Sequence, residues 1–362
     1  MWEDVVGQER AVATLERAAA RPSHAYLLVG PRGSGVETAA REFAALMIGA
    51  GGDERALTLV RRGMHPDVVE FEPGAASYSV KDDVRARILP EAMRAPIEAD
   101  RKVLLILEAE KLRGNQNEAA NAMLKTLEEP PPRTVIILVT SIPEDLLPTI
   151  RSRCQQIDFE PTTDDVVAAA LAREGVDSGR AQLAASLSGG QLARARAFAG
   201  PLASFRATFA RAPARIDGTG AKAIAIAEEL DAAVEAAAEQ VAQLHREELE
   251  AFDAEMERHG YSDRDAQRMR RRIDDRHKRE VRRTRIDLLL EGVTVLESVY
   301  RDALAAPAPA LNADQPPLAV SPRGAAEALD ACREAREAIL INEKGIMRLT
   351  ALVMALPAAT TH

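Results

Sequence analysis

The sequence is poor in cysteine and in aromatic residues. Its 362 residues include two cysteines, and aromatic side chains make up 3% of them. Cys154 and Cys332 lie far apart in the chain, which excludes a disulfide framework and a four-cysteine zinc site. A zinc module before His65 would need thiolates, and residues 48–66 contain none. We therefore predict no zinc, and we expect His65 to be a loop or core histidine.

Long apolar runs are also missing. No stretch approaches the ~20 residues that span a bilayer, and the first ten residues, MWEDVVGQER, are too charged for a signal peptide. These two absences predict a cytoplasmic protein without membrane contact. The net charge of −9 argues against an overall basic surface for nucleic acid.

Lysine is absent from residues 1–80, although a phosphate-binding loop in this region would require one. The stretch GPRGSGVET at 30–38 resembles the loop G-x-x-x-x-G-K-[ST], in which lysine and a hydroxyl act on phosphates and Mg²⁺. Val36 and Glu37 occupy those two positions. The sequence therefore predicts a degenerate phosphate loop whose candidate nucleotide-contacting positions are Gly30, Gly33, Gly35, Val36 and Glu37.

Two further features argue against tight binding of Mg-ATP. Two negative charges 4 Å apart repel by about 4 kcal/mol at an effective dielectric constant of 20, so Glu37 would oppose a phosphate. A helix N-terminus offsets about 1 kcal/mol of that. In the apolar run KVLLILEAEKL, Leu107 stands where a metal-binding carboxylate is expected. We expect the loop to be empty, and a simple glycine turn that never held nucleotide remains the alternative.

The hydrophobic pattern divides the chain into three predicted domains. Over residues 1–160, short apolar runs alternate with helical patterns, which is typical of a parallel α/β sheet. From Pro161 the strand signals end, and short helices are predicted over 162–199. Longer helices are predicted for the rest of the chain, at 221–258, 264–305, 324–341 and 344–356. The predicted domains are therefore an α/β domain at 1–160, a small helical domain at 161–208 and a helical bundle at 209–362.

Two segments carry a specific resemblance. NEAANAMLKTLEEPPP (117–132) and TSIPEDLLPTIRSRCQQIDF (140–159) resemble the bacterial clamp-loader branch of the AAA+ ATPases. Residues 2–9 and 24–35 fit the same branch in order and spacing, and the resemblance is weaker at 340–356. It implies an AAA+ domain with a P-loop NTPase-like sheet, a helical lid and a C-terminal collar for oligomerisation.

The resemblance also implies a role and partners. It points to a subunit that does not hydrolyse ATP alone but belongs to the DNA polymerase III holoenzyme, a nucleotidyltransferase that replicates DNA. The implied partners are tau/gamma and delta loader subunits, with weak or indirect contact to the sliding clamp and contact to primer–template DNA through the complex. The rival prediction is an active AAA+ ATPase, either a tau/gamma-type subunit or a branch-migration helicase.

In this family the Ser-Arg-Cys motif, here Ser152, Arg153 and Cys154, supplies an arginine finger to ATP on the adjacent subunit. A planar, permanently charged guanidinium fits the γ-phosphate oxygens, and such fingers raise rates by roughly 10³–10⁵. From the residues alone, Arg153 could instead be a surface arginine paired with Asp158 or Glu160. Arg151 is the nearest competitor for the finger, and we interpret Cys154 as a small core residue.

Two other groups leave alternatives open. Arg194 matches the family's second sensor position, and Thr140 and Ser141 match the first; in a loop without lysine, Arg194 could simply pair across a domain interface. The segment 268–285 holds ten Arg or Lys and three acidic residues, a net charge of +7. It could contact phosphates, but a solvated helix face with ion pairs such as Asp274–Lys278 is favoured.

Overall fold

The computed structural model describes residues 1–31, 33–73, 77–113, 117–200, 202–259, 263–305, 312, 315–341 and 345–358. These residues form two compact units. The first comprises Met1–Glu174 and Ser188–Ala193, and the second comprises Gly175–Leu187 and Arg194–His362. The three domains inferred from the sequence stay a prediction.

The first unit contains a five-stranded sheet in the order β2-β3-β4-β1-β5, and all of its neighbouring strands are parallel. The parallel α/β sheet predicted for this part of the chain is confirmed. Strands β3 and β4 are buried along their whole length, which explains why they read as continuous apolar runs. The strands are β1 Ala25–Val29, β2 Val68–Phe71, β3 Lys102–Ile106, β4 Thr134–Thr140 and β5 Gln155–Asp158.

Within its described residues, the first unit contains seven α-helices. They are α1 Glu9–Ala20, α2 Val36–Met47, α3 Glu54–Arg61, α4 Leu89–Ala92, α5 Glu118–Glu128, α6 Pro148–Arg151 and α7 Asp164–Arg173. The sequence predicts a helix over 80–96 with a kink or break at Pro90. A π-helical segment, Val80–Ile88, passes directly into α4, and Pro90 lies in the first turn of α4. Proline is tolerated there because the first amides of a helix have no helical acceptor.

The helices of the remaining chain are α8 Ser178–Ser188, α9 Leu192–Ala199, α10 Ala203–Arg211, α11 Gly220–His259, α12 Asp263–Ala305, α13 Pro322–Ile341 and α14 Gly345–Ala355. The four long helices predicted beyond residue 220 are confirmed, and their ends agree to within about two residues, the usual uncertainty of helix ends. Helix α12 packs against α11 and α13, and α14 packs against α11. Within the described residues, no helix is both long and apolar enough to cross a membrane.

The register of the sheet places several sequence positions at one edge. Val29 pairs with Thr140 on β4 and with Asp158 on β5. Because parallel strands end on the same side, Gly30 after β1, Leu107 after β3 and Thr140 at the end of β4 share the carboxyl-terminal edge. Ligands of open α/β sheets bind beyond that edge. The functional positions predicted from the loop therefore belong to one region of the first unit.

Candidate functional site

The glycine-rich loop joins β1 to α2 at the carboxyl-terminal edge of the sheet. The Gly30 amide donates a hydrogen bond of 3.1 Å to the Thr140 carbonyl oxygen, which ties the loop to β4. Gly33 has a φ of 92°, and Gly35, the residue before α2, has a φ of 78°. Side chains other than glycine rarely adopt these angles. The predicted strand–loop–helix connection is therefore present in the described residues, and Gly33 and Gly35 take the left-handed backbone conformation.

The loop is packed closely against its own unit. A Cβ atom at Gly33 would lie 2.3 Å from the carbonyl oxygen of Gly189. A Cβ atom at Gly30 would lie 2.7 Å from the Cβ atom of Phe159. Both distances are too short for a real contact, so these glycines are required by packing. The loop can thus be retained for structural reasons, whatever its ligand chemistry.

The two positions that would supply the chemistry are apolar and buried. Val36, at the lysine position, is 5% exposed, and Leu107, at the position of the metal-binding carboxylate, is 1% exposed. Both belong to the apolar cluster between α2 and the sheet. The Tyr78 hydroxyl donates a hydrogen bond of 2.6 Å to the Leu107 carbonyl oxygen, and burial raises the pKa of Tyr78 well above its ordinary value. Both positions therefore contribute side chains to the apolar core.

The charged groups around the edge are mostly acidic or already engaged. Glu37 is exposed in the first turn of α2. One turn later, Arg41 forms two hydrogen bonds with Glu70 on β2, and this carboxylate raises the pKa of Arg41. Lys111 forms an ion pair of 2.5 Å with Glu108. These two cations therefore balance carboxylates of the same unit.

Thr140 and Ser141, the first-sensor positions, form hydrogen bonds with Glu110, a residue that the sequence did not single out. The Thr140 hydroxyl donates a hydrogen bond of 2.7 Å to Glu110, and the Ser141 hydroxyl donates one of 3.3 Å to the same side chain. Glu110 lies in the short 3₁₀ helix Ala109–Leu112 after β3. The sequence showed it only as one of two acidic residues beyond the strand. The structure thus gives both hydroxyls a partner within the chain.

Arg153 and the glycine loop lie at opposite ends of the strands of the sheet. Arg153 follows α6 and precedes β5, so it is at the amino-terminal end of β5, whereas Gly30 follows the carboxyl-terminal end of β1. The paired segment from Tyr26–Gln155 to Val29–Asp158 separates these ends, and at about 3.3 Å per residue it spans ~10 Å. Arg153 and its own glycine loop are therefore not brought together.

The partner of Arg153 differs from those considered in the sequence. Its guanidinium forms an ion pair with Glu128, the last residue of α5, and donates a hydrogen bond of 2.7 Å to the Thr149 carbonyl oxygen. Asp158 instead accepts from Gln156. Arg153 therefore pairs with Glu128 and not with Asp158 or Glu160. Those two residues lie at and beyond the far end of β5, whereas Arg153 precedes its first residue. Ser152 donates to the same Thr149 carbonyl oxygen at 3.2 Å.

The structure also places the neighbouring cysteine and His65. Cys154 is partly buried against the apolar cluster on the α5 side of the sheet, and burial raises the pKa of its thiol to about 12. His65 is 4% exposed, and its Nδ1 atom accepts a hydrogen bond from the Asp67 amide. Burial lowers the pKa of His65. His65 is therefore a buried residue, as expected, whereas Cys154 packs against the core and is only partly buried.

Arg194, the second-sensor position, lies in the second unit together with its partner. Its guanidinium is 3.1 Å from a carboxylate oxygen of Glu291 on α12 and lies over the ring of Phe198. Burial raises the pKa of Glu291, and the charge of Arg194 opposes that rise. The sequence alternative is that Arg194 pairs across a domain interface. The structure gives it an ion-pair partner, but that partner lies in the same unit.

The basic segment 268–285 falls largely on side chains outside the described residues, and so does the suggested pair Asp274–Lys278. Within the described part, Arg285 forms ion pairs with Asp231 and Glu235 on α11, at 3.3 and 2.8 Å. Over the described ranges, no group of three or more His, Cys, Asp or Glu is placed to hold a metal ion. The absence of zinc stays a prediction.

The sheet order β2-β3-β4-β1-β5, with a glycine loop between β1 and α2, is that of the P-loop NTPase-like AAA+ fold. Residues 7–163 match the family model described as DNA polymerase III, delta subunit. The N-terminal part of the chain is thus similar to the subunits of the DNA polymerase III clamp loader.

Individual relatives cover the same part of the chain. It is 36% identical over 160 residues to the DNA polymerase III subunit delta′ of Pseudomonas aeruginosa, covering 42% of this chain and 48% of that protein. It is 39% identical over 175 residues to the DNA polymerase III subunit tau of Bacillus subtilis, covering 46% of this chain and 30% of that protein. The chain thus spans about half the length, or less, of these curated relatives.

A solved structure matches over a longer range. The crystal structure of a DNA polymerase III gamma subunit-related protein from Thermotoga maritima aligns with 95% of this chain and 97% of that one. The sequence identity is 18% and the TM-score is 0.48.

Proposed function

We propose that this chain is a delta-prime-type subunit of a clamp loader. In this proposal it does not hydrolyse ATP itself. It supplies Arg153 to ATP held by a neighbouring tau/gamma-type subunit, and so couples hydrolysis there to loading of the sliding clamp on primed DNA. Its other partner is a delta-type subunit, and its C-terminal helices form part of the collar.

The position of Arg153 carries this proposal. Arg153 and the glycine loop lie at opposite ends of the paired strands β1 and β5. An arginine side chain reaches less far than the ~10 Å that the paired strands span. Arg153 can therefore act on a triphosphate only if another subunit presents it.

The state of the loop supports the non-hydrolysing role. Val36 and Leu107 are buried in the apolar cluster at the positions where Mg-ATP needs a lysine and a carboxylate. Lysine binds the β- and γ-phosphates, and the carboxylate holds the metal ion. With both replaced, the chain lacks two separate contributions to nucleotide binding. A subunit of this kind would contribute to catalysis only in trans.

The proposal is tested in the assembled complex with tau/gamma-type and delta-type subunits. Arg153→Ala should abolish turnover at the adjacent ATP site, where a finger contributes roughly 10³–10⁵ in rate, and DNA-stimulated hydrolysis should fall accordingly. Arg151→Ala, two residues away and also exposed, is the matched control and should retain the wild-type rate. Unchanged hydrolysis in Arg153→Ala would overturn the finger assignment.

The second candidate function is an active ATPase of the tau/gamma type. One observation favours it: the identity to the Bacillus subtilis tau subunit, 39%, is as high as that to the delta′ relative. It predicts that the purified chain hydrolyses ATP without partners. Our proposal predicts no turnover above that of a buffer blank, and a rate that survives further purification would favour the alternative.

A further inference from the structure

We propose that Glu128 is a positioning residue that holds Arg153 in a parked conformation until a neighbouring triphosphate competes for it. This inference rests on the proposed function, because it concerns the same arginine. In this proposal, Glu128, on α5, controls how often the Arg153 guanidinium is free to bind a phosphate.

Two groups of the same chain occupy the guanidinium. One terminal nitrogen donates to a carboxylate oxygen of Glu128, and the other donates to the Thr149 carbonyl oxygen at 2.7 Å. A γ-phosphate is recognised through the same forked set of N–H donors. Contact with phosphate and contact with Glu128 therefore exclude each other, at least for the nitrogen that they share.

The backbone on both sides of the ion pair is fixed. Leu127, next to Glu128, and Ile150, three residues before Arg153, are fully buried in one apolar cluster. Helices α5 and α6 also contact each other directly. Release of the finger therefore requires a change of side-chain rotamer, and the helices can stay in place.

The position of Glu128 disfavours an unpaired carboxylate. It is the last residue of α5, so it stands at the negative end of the helix dipole, where cations are favoured and anions are disfavoured. The Arg153 guanidinium compensates this arrangement. Glu129, the next residue, is exposed at the C-cap of the same helix and offers a matched carboxylate for comparison.

The ion pair is weak enough to be reversible. The Arg153 side chain is 32% exposed and that of Glu128 is 47% exposed. Exposed pairs of this kind favour the paired state by an equilibrium constant of roughly 1.4 to 5. The arginine not paired with Glu128 is then a minority of about one sixth to two fifths, and removing the pair raises the fraction that is free of Glu128 about two- to sixfold.

The experiment compares Glu128→Gln with Glu129→Gln in the complete loader, with clamp and DNA absent. A finger acts on the transition state, so freeing it should raise kcat for ATP about two- to sixfold at unchanged KM. Glu129→Gln should have the wild-type kcat. In the Arg153→Ala background, Glu128→Gln should change nothing, because Glu128 acts only through Arg153.

The outcomes separate the two proposals. Loss of activity in Arg153→Ala, combined with an unchanged or lower kcat in Glu128→Gln, overturns parking and leaves the finger assignment standing. A Glu128→Gln effect that persists without Arg153 also overturns parking. If Arg153→Ala is as active as wild type, the function itself fails.

Parking can also be measured on the full chain without activity. In the wild type, side-chain NMR of Arg153 should show guanidinium protons that exchange more slowly than in Glu128→Gln. Equal exchange in the two proteins contradicts the parked state.

Discussion

The side-chain amide of Gln8 and the backbone of Glu160 form a pair of hydrogen bonds across 152 residues of sequence. The Gln8 amide nitrogen donates to the Glu160 carbonyl oxygen at 2.7 Å, and the Gln8 side-chain oxygen accepts from the Glu160 amide at 3.1 Å. Gln8 is 4% exposed. The pair fixes the segment before α1 to the chain that leaves β5, the edge strand next to β1.

Gln8→Ala should destabilise the first unit by about 2 kcal/mol, because two hydrogen bonds to the Glu160 backbone are lost and each contributes roughly 1 kcal/mol. The urea midpoint of the transition that reports the sheet measures the effect. Gln155→Ala, at an exposed glutamine of β5, is the control and should shift that midpoint little. Equal midpoints for the two variants would show that the Gln8 pair contributes nothing to stability.

Removing the buried ion pair between Lys102 and Glu91 should destabilise the first unit more than Gln8→Ala does. The Lys102 ammonium at the start of β3 is 2.7 Å from Glu91 on α4, and both side chains are at most 7% exposed. Removing one partner of such a pair costs about 3–5 kcal/mol, and the buried Glu91 carboxylate then keeps its partly exposed partner Arg94. Lys102→Ala should therefore unfold the first unit at much lower urea concentration. The combined Lys102→Met and Glu91→Leu variant should recover most of this loss.

The exposed ion pair between Arg113 and Asp145, in the same unit, is the control for the buried Lys102–Glu91 pair. Arg113 and Asp145 are 2.6 Å apart, with side chains 58% and 43% exposed. Arg113→Ala should cost less than about 1 kcal/mol. If Lys102→Ala costs no more than Arg113→Ala, burial of the Lys102–Glu91 pair does not determine its contribution.

The contact between Arg194 and Glu291 predicts a pH-dependent mutational effect. Burial already raises the pKa of Glu291, and the charge of Arg194 counteracts this. In Arg194→Ala the folded-state pKa should rise further above its ordinary value of 4.5. A group with a raised folded-state pKa stabilises the fold in its protonated form, and that contribution is lost as the pH rises through the shifted pKa.

Arg194→Ala should therefore lower the free energy of unfolding more at pH 8 than at pH 5. Denaturant titrations at the two pH values measure the difference. Adding Glu291→Gln removes the ionisable group and should remove the pH dependence with it. A mutational cost that is the same at both pH values would argue that Arg194 acts through packing on Phe198 and not through Glu291.

The two cysteines should be slow to react in the folded protein. Burial raises the pKa of both the Cys154 and the Cys332 thiol to about 12. At pH 8 only about one molecule in 10⁴ then carries the thiolate, which is the reactive form. A colourimetric thiol assay should show both groups reacting at once in denaturant and neither within minutes without it. Rapid labelling of Cys154 in the native protein would contradict the burial that its surroundings imply.

The sequence by itself determined the apolar strands, the glycine loop and the long helices, but not β5, whose residues are mostly exposed. Buried parallel strands such as β3 and β4 are continuous apolar runs, and helices such as α11 have apolar residues at helical spacing, because burial imposes these patterns locally. The missing lysine at Val36 and the missing carboxylate at Leu107 could also be read directly. Each of these depends on residues that are close in the chain.

Only the tertiary structure decided which charged side chains pair with each other. Glu128 and Arg153 are 25 residues apart, and Arg194 and Glu291 are 97 apart, so no spacing rule links them. Asp158 and Glu160 looked suitable for Arg153 because they are near in sequence, but β5 carries them towards the other edge of the sheet. Which ion pair forms, and which end of a strand a side chain occupies, depends on how the strands are ordered and how the helices pack, because charges interact through space and not along the chain.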